Sequence, residues 1–266
     1  MSRVAVVTGA SSGIGRATAV ALVERGYRVI GTSRAPDAIG AGAVSGVEYR
    51  ALDLTEKASV EAFVAGLDQV DVLVNNAGES QAGPLAELPS EAVERLFHLN
   101  VLGPVALTQA LLPGMRQRGY GRVVMVGSML ASFPMPYRSS YVATKAALRG
   151  FAVAARFEES VFGVWITAVE PGQVDTGLRD RRTKYLAEGS PHTADFTTFL
   201  AKLDEQQARG ITPEKVAGTI VTAIEARRPR PLYAVGSNAP AMFALRRLLP
   251  RTVLERIIAR AYGLSR

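Results

Sequence analysis

Tyr141 and Lys145 stand four residues apart in the run Ser140-Tyr141-Val142-Ala143-Thr144-Lys145, a spacing that puts both side chains on one face of a helix. A phenol with a pKa of about 10 exchanges protons poorly at neutral pH, and a fixed cation beside it favours the phenolate. Lys145 can supply that cation, so the pair is a candidate proton donor and acceptor. By spacing alone it reads more simply as an ordinary helix with one aromatic and one solvated lysine. Tyr137 lies close by, but the fourth residue after it is Tyr141 rather than a lysine. The chain has no cysteine, which removes thiol nucleophiles, disulfides and thiolate metal sites. Two separated histidines, His98 and His192, argue against a histidine-based metal cluster, so no metal is expected.

The elements that would position such a pair begin at the N-terminus. Val4-Ala5-Val6-Val7 is an apolar run, followed by Thr8-Gly9-Ala10-Ser11-Ser12-Gly13-Ile14-Gly15 and a helical pattern from Arg16 to Arg25 closed by Gly26. Glycines 9, 13 and 15 let the backbone turn tightly and approach a ligand, and the start of the helix offers free N–H groups to a phosphate. The spacing is G-x-x-x-G-x-G, not the commoner G-x-G-x-x-G. The next strand, Tyr27 to Thr32, ends at Ser33-Arg34, where a dinucleotide fold meets the adenosine ribose. A hydroxyl and a guanidinium there, in place of an acid, suit a 2′-phosphate, which points to NADP(H) over NAD(H).

Val47 to Leu52 reads as a third strand ending at Asp53-Leu54, and Thr55 to Leu67 as a helix capped by Thr55. Val70 to Val74 is a fourth strand running into Asn75-Asn76-Ala77-Gly78. There the small residues leave room for a ring or ribose, and the asparagines can tie neighbouring loops together. Asp53 reads equally as a turn cap or an adenine contact. Ser90 is expected to cap a long helix from Glu91 to about Leu112 that carries Asn100. Gly121 to Ser128 is a fifth strand. A sixth, Val161 to Val169, leaves the sheet at Glu170-Pro171-Gly172-Gln173-Val174-Asp175-Thr176. Residues 177–210 read as a substrate lid with helical pieces around Arg179–Glu188 and Asp195–Gln207. Thr212 and Pro213 open another helix, and Leu232 to Val235 is the last strand.

This alternation predicts one α/β domain over residues 1–266: a Rossmann-type, doubly wound parallel sheet of about seven strands with helices on both faces. The 48% hydrophobic composition is enough for its core. No apolar run is read as reaching the roughly 18 residues of a membrane span, and the start shows no signal-peptide pattern, so a cytoplasmic protein is expected. The net charge of +7 sits in the tail: from Arg227 onward nine arginines face one acid, Glu255, for +8, which leaves −1 on the rest. A general nucleic-acid surface is therefore not indicated. Within the basic tail, about 237–266, the stretch Pro240 to Tyr262 is broken by Pro250 into two short amphipathic helices. These either cap the substrate pocket or a subunit interface, or lie on an anionic membrane surface.

Taken in order, Thr8-Gly9-x3-Gly13-Ile14-Gly15, Asp53, Asn75-Asn76-Ala77-Gly78, Asn100, Ser128, Tyr141-x3-Lys145 and Pro171-Gly172-x-Val174-x-Thr176 make the chain resemble the short-chain dehydrogenase/reductase family over nearly its whole length. The Gly83-Pro84-Leu85 loop, Arg34 and the tail look most like its 17β-hydroxysteroid and retinol dehydrogenase branch. The resemblance implies Tyr141 as general acid in reduction and base in oxidation, with Lys145 lowering its pKa and holding the nicotinamide ribose. It implies Ser128 polarising the carbonyl and Asn100 anchoring a water that relays protons to Lys145. It places cofactor contacts at Gly9, Ser11, Ser12, Gly13, Ile14, Gly15, Ser33, Arg34, Asp53, Leu54, Asn76, Ala77, Gly78, Pro171 and Gly172, with Val174 and Thr176 holding the carboxamide. Leu130, Met135, Tyr137 and Gln173, with the lid, are expected to shape a pocket for a steroid, retinoid, long-chain or aromatic carbonyl. The expected protein is an NADPH-dependent carbonyl reductase or alcohol dehydrogenase forming a homodimer or homotetramer. The alternative is a non-catalytic NADP(H)-sensing regulator on the same fold.

Overall fold

A computed structural model describes residues 2–177 and 181–264. Among the described residues, seven strands form one parallel sheet in the order β3-β2-β1-β4-β6-β7-β9. They are β1 Val4–Val7, β2 Arg28–Ser33, β3 Val47–Ala51, β4 Val72–Asn75, β6 Gly121–Val126, β7 Val164–Pro171 and β9 Leu232–Val235, while β5 Gln81–Ala82 and β8 Thr183–Lys184 pair separately. The central strands are continuous apolar runs because both sheet faces are covered. On one face α1 Gly13–Val23 and α7 Pro213–Glu225 bury Ala19, Leu22, Val216, Ile220 and Ile224 against β1, β4 and β6. On the other, α2 Lys57–Ala65, α4 Gly103–Gln117 and α5 Ser139–Ser160 contribute Phe63, Leu107, Met115, Leu148 and Ala152. The strand order reverses between β1 and β4, and the crevice outside the C-terminal strand ends at such a point is where ligands bind.

Several boundaries differ from those expected. The helix expected from Glu91 with Ser90 as its cap begins at Ser90 itself, after Pro89, and is divided into α3 Ser90–Phe97, a π-helical turn His98–Leu102 and α4. Thr55 does not cap α2. Asp53 accepts from the Thr55 amide at 2.9 Å and its hydroxyl at 2.7 Å, closing a turn before the helix starts at Lys57. Val161 ends α5 rather than beginning β7. An 18-residue window within Ser90–Gln117 reaches a mean hydropathy of 1.3, more apolar than expected; 56% of it is buried inside the fold, so packing against the sheet accounts for it.

In the segment 177–210, Arg179 lies outside the described residues. Thr183–Lys184 is strand, not helix, and pairs in parallel with Gln81–Ala82; the second piece is α6 Thr193–Ala208. Phe196, Phe199 and Leu203 of α6 share an apolar cluster with Met129, Phe133 and the tail residues Leu254, Ile258 and Tyr262. The tail forms α8 Ala239–Leu248 and α9 Arg251–Ala261 around Pro250, as expected. One stripe of it therefore packs on the protein, while Leu248 stays 80% exposed.

Candidate active site

The turn between β1 and α1 is held from below by Thr8. Its hydroxyl accepts from the Asn76 and Ala77 amides at 2.9 and 3.0 Å, and Asn76 Nδ2 donates to the Thr8 carbonyl at 2.9 Å. Asn75 instead donates to Thr108 Oγ1 at 2.9 Å and anchors β4 to α4. Ser12 makes no side-chain cap bond, which leaves the start of α1 available to an anion. Gly15 is required by close approach: a Cβ there would lie 2.2 Å from the Gly9 carbonyl oxygen. The turn opens on a cleft of about 550 Å³ lined by Gly9, Ser11, Ser12, Gly13, Ile14, Ser33, Arg34, Asp53, Leu54, Asn76, Ala77, Gly78, Tyr141, Lys145 and Thr176. Gly15 itself supports the turn from outside that lining. Asp53 thus both closes a turn and faces the cleft, and its hydrogen bonds from Thr55 hold its carboxyl below the usual range.

Tyr141 and Lys145 are both buried on α5. Lys145 Nζ lies 5.8 Å from the Tyr141 ring centre and donates to the Val126 carbonyl at 3.0 Å, where β6 ends. Asn100 sits in the π-helical turn, a local widening of the helix that recurs at functional positions. Its Oδ1 accepts from the Glu79 amide at 2.9 Å, and its Nδ2 donates to the Glu79 carbonyl at 3.0 Å and to Thr144 Oγ1 at 3.2 Å. Gly78 admits this packing, since a Cβ there would meet Asn100 Oδ1 at 2.9 Å and Lys145 Nζ at 3.7 Å. Asn100 is 1% exposed and lies behind the cleft wall rather than in its lining.

A second chamber of about 350 Å³ adjoins the cleft. Tyr141, Ile14, Gly127 and Thr176 line both spaces. Ser128, Leu130, Met135, Gln173, Pro171, Gly172 and Val174 line the chamber, with Met129, Phe133, Met242, Ile257, Ile258 and Tyr262 from the loop after β6 and the tail. Pro171, Gly172 and Val174, assigned to the cofactor by resemblance, thus face this space and not the cleft. Tyr137 is not in the lining. Its φ of 58° is a left-handed backbone that turns the ring toward His192, Phe196 and Phe199, at 5.9, 5.3 and 5.5 Å.

The known short chain dehydrogenase family matches residues 3–186. The chain belongs to the short-chain dehydrogenase family. It is an oxidoreductase by that membership, and the resemblance to the retinol and steroid dehydrogenase branch stands within it. A curated relative, 3-ketodihydrosphingosine reductase of Bacteroides thetaiotaomicron, is 29% identical and covers 91% of each chain. Among solved structures, a short-chain dehydrogenase from Streptomyces avermitilis is 33% identical over 96% of this chain and 97% of that one, with a TM-score of 0.81. A short-chain dehydrogenase from Sphingobium yanoikuyae in complex with NADPH is 25% identical over 92% and 94%, with a TM-score of 0.70.

For a short-chain dehydrogenase, the site also contains residues that sequence reasoning passed over. Arg181 lines the cleft and donates to Ser12 Oγ at 3.2 Å, adding a cation above the glycine turn. Arg95 lines it too, paired with Glu79 at 2.5 Å. Arg138, the residue preceding α5, is 3% exposed; its Cζ lies 4.4 Å from the Tyr141 ring centre, and burial lowers its pKa to about 10. Burial pushes the Tyr262 phenol up to about 12 while Gln173 donates to it at 3.0 Å. The only signal for Arg138 was its place three residues before Tyr141, one helical turn away.

Proposed function

We propose that the protein is an NADP(H)-dependent oxidoreductase interconverting a ketone or aldehyde and an alcohol on an apolar substrate. The observation that carries this reading is the position of Tyr141 at the boundary of a polar cleft and an apolar chamber, with Lys145 on the first side and Ser128 on the second. The cleft suits a dinucleotide: an uncapped helix start, hydroxyls at Ser11 and Ser12, and Arg34 at the exposed rim for a 2′-phosphate. When bound, NADP(H) supplies or takes the hydride. Tyr141 protonates the carbonyl oxygen in reduction and takes the alcohol proton in oxidation. Lys145 holds the nicotinamide ribose beside it, Ser128 donates to the substrate oxygen, and Asn100 holds the Glu79 segment beside Lys145 and anchors a relay water. Thr176, on the wall shared by the two spaces, holds the carboxamide, with the backbone of Val174 meeting it from the chamber side. Leu130, Met135 and Gln173 shape the substrate pocket under the 177–210 lid. Steroids, retinoids and long-chain or aromatic carbonyls match its apolar walls. A pure cofactor sensor would need the phosphate turn but no proton donor, so the Asn100, Ser128, Tyr141 and Lys145 set speaks for turnover.

Tyr141→Phe is expected to lower kcat/KM by about a hundredfold or more while NADPH still binds; full residual activity refutes the mechanism. NADPH should bind more tightly than NADH, and Arg34→Ala should remove most of that preference; equal binding of the two by the wild type refutes the role of Arg34. Self-association is assigned to α5, which leaves Phe157 76% and Phe162, just beyond it, 48% exposed. The arginines and exposed Leu248 of the tail suit contact with an anionic membrane; failure to co-sediment with anionic liposomes at low salt counts against it.

A further inference from the structure

Arg138 is the only charged side chain lining the apolar chamber among the described residues, and no carboxylate lines it. Nearby Arg182, also buried, donates to Asp204 Oδ1 at 2.8 Å and to Gln207, which pairs its charge although its Nε, like that of Arg138, has no hydrogen-bond partner among the described residues. Among the described residues, Arg138 makes no hydrogen bond to a carboxylate. Its Nη2 donates to Ser80 Oγ at 3.0 Å, and its Nε, sealed from solvent, has no hydrogen-bond partner among the described residues. The Tyr141 ring under its face attracts the positive charge but accepts none of its in-plane N–H groups. A guanidinium taken out of water with part of its donor fork unused is costly to the fold unless something completes it. Arg138 does not line the cofactor cleft, so a dinucleotide phosphate is not that partner.

We propose that the chamber accepts carbonyl substrates carrying a carboxylate, which Arg138 receives while the carbonyl lies at Tyr141 and Ser128. This rests on the reading of Tyr141 as proton donor and narrows the substrate class to apolar keto acids and the corresponding hydroxy acids. A planar carboxylate matches the guanidinium fork in geometry and charge, and the apolar walls strengthen the pair by excluding water. Because Arg138 stacks on the Tyr141 ring, the carboxylate is held within a few carbon atoms of the reacting carbonyl.

The test compares NADPH-dependent reduction of para-acetylbenzoate with that of para-isopropylacetophenone, a neutral ketone of similar size. The wild type is expected to favour the acid by about tenfold or more in kcat/KM. Arg138→Met should abolish or invert that ratio, and Arg138→Lys, which keeps the cation, should retain part of it. Preference of the wild type for the neutral ketone overturns the proposal, as does a preference for the acid that survives Arg138→Met. NADPH titration reports whether the Met variant is folded; if it is not, the wild-type ratio and Arg138→Lys decide. If neither ketone is reduced, the reaction assigned above fails, and calorimetric titration of para-isopropylbenzoate into the NADPH-saturated protein decides the subsite alone. Binding that weakens about tenfold in Arg138→Met upholds it; absent or unaltered binding overturns it.

Discussion

Glu170 lies at the end of β7, fully buried, against Gly127 and near Arg149 of α5 and Arg246 of α8. Neither of its carboxylate oxygens has a hydrogen-bond partner among the described residues, and Arg149 Nη1 stands 3.6 Å away. Burial raises its pKa from 4.5 to about 7, against the opposing pull of the two arginines. Between those values the folded chain keeps a proton that the unfolded chain has released. Stability is therefore fully present below 4.5 and falls as pH rises, until the loss is complete above about 7. At about 1.4 kcal/mol per pH unit, the interval from 4.5 to about 7 amounts to about 3 kcal/mol. Glu170→Gln keeps the shape and removes the titration. Urea unfolding is expected to find the variant about 3 kcal/mol more stable than the wild type at about pH 8, with the gap closing toward pH 4.5. A difference that does not change with pH refutes the reasoning. A variant less stable than the wild type at about pH 8 refutes it too, because the arginines would then outweigh the burial.

Two further outcomes follow from the geometry. Gly15→Ala puts a Cβ 2.2 Å from the Gly9 oxygen and 2.5 Å from Asn76 Nδ2, so the glycine turn must shift. A loss of about 1–3 kcal/mol of stability and at least about tenfold weaker NADPH binding are expected, read by denaturant midpoint and fluorescence titration; wild-type values for both would count against the close packing. Asn100→Ala strips partners from the Glu79 amide and carbonyl and from Thr144, costing about 1–3 kcal/mol and speeding hydrogen exchange at the Glu79 amide; unchanged exchange would mean that the segment is held by other contacts.

Much of the sheet was legible because parallel strands buried on both faces appear as short apolar runs, and all seven predicted strands lie in it. Thr212 capping α7 was equally legible: its hydroxyl accepts from the Lys215 amide at 3.4 Å. The helix around Asn100 was misread because an apolar helical period runs through a π-helical turn without interruption, and the widening lies in the backbone of His98–Leu102. Thr183–Lys184 was misread because a two-residue strand has no period of its own and exists by pairing with Gln81–Ala82.

The sequence by itself determined which residues could share a helix face, as with Tyr141 and Lys145, and where the backbone could turn tightly, as at Gly9 to Gly15. Such features depend on neighbours a few residues apart. Only the tertiary structure decided that Tyr137 turns into the α6 cluster, that Asp53 serves a turn and the cleft together, and that Glu170 and Arg138 lose their water. Burial is set by segments distant in the chain, and the chamber beside Tyr141 is closed by the loop after β6, the exit of β7, α6 and the tail. The apolar period of α9 was visible in the chain, but what its buried stripe covers was not.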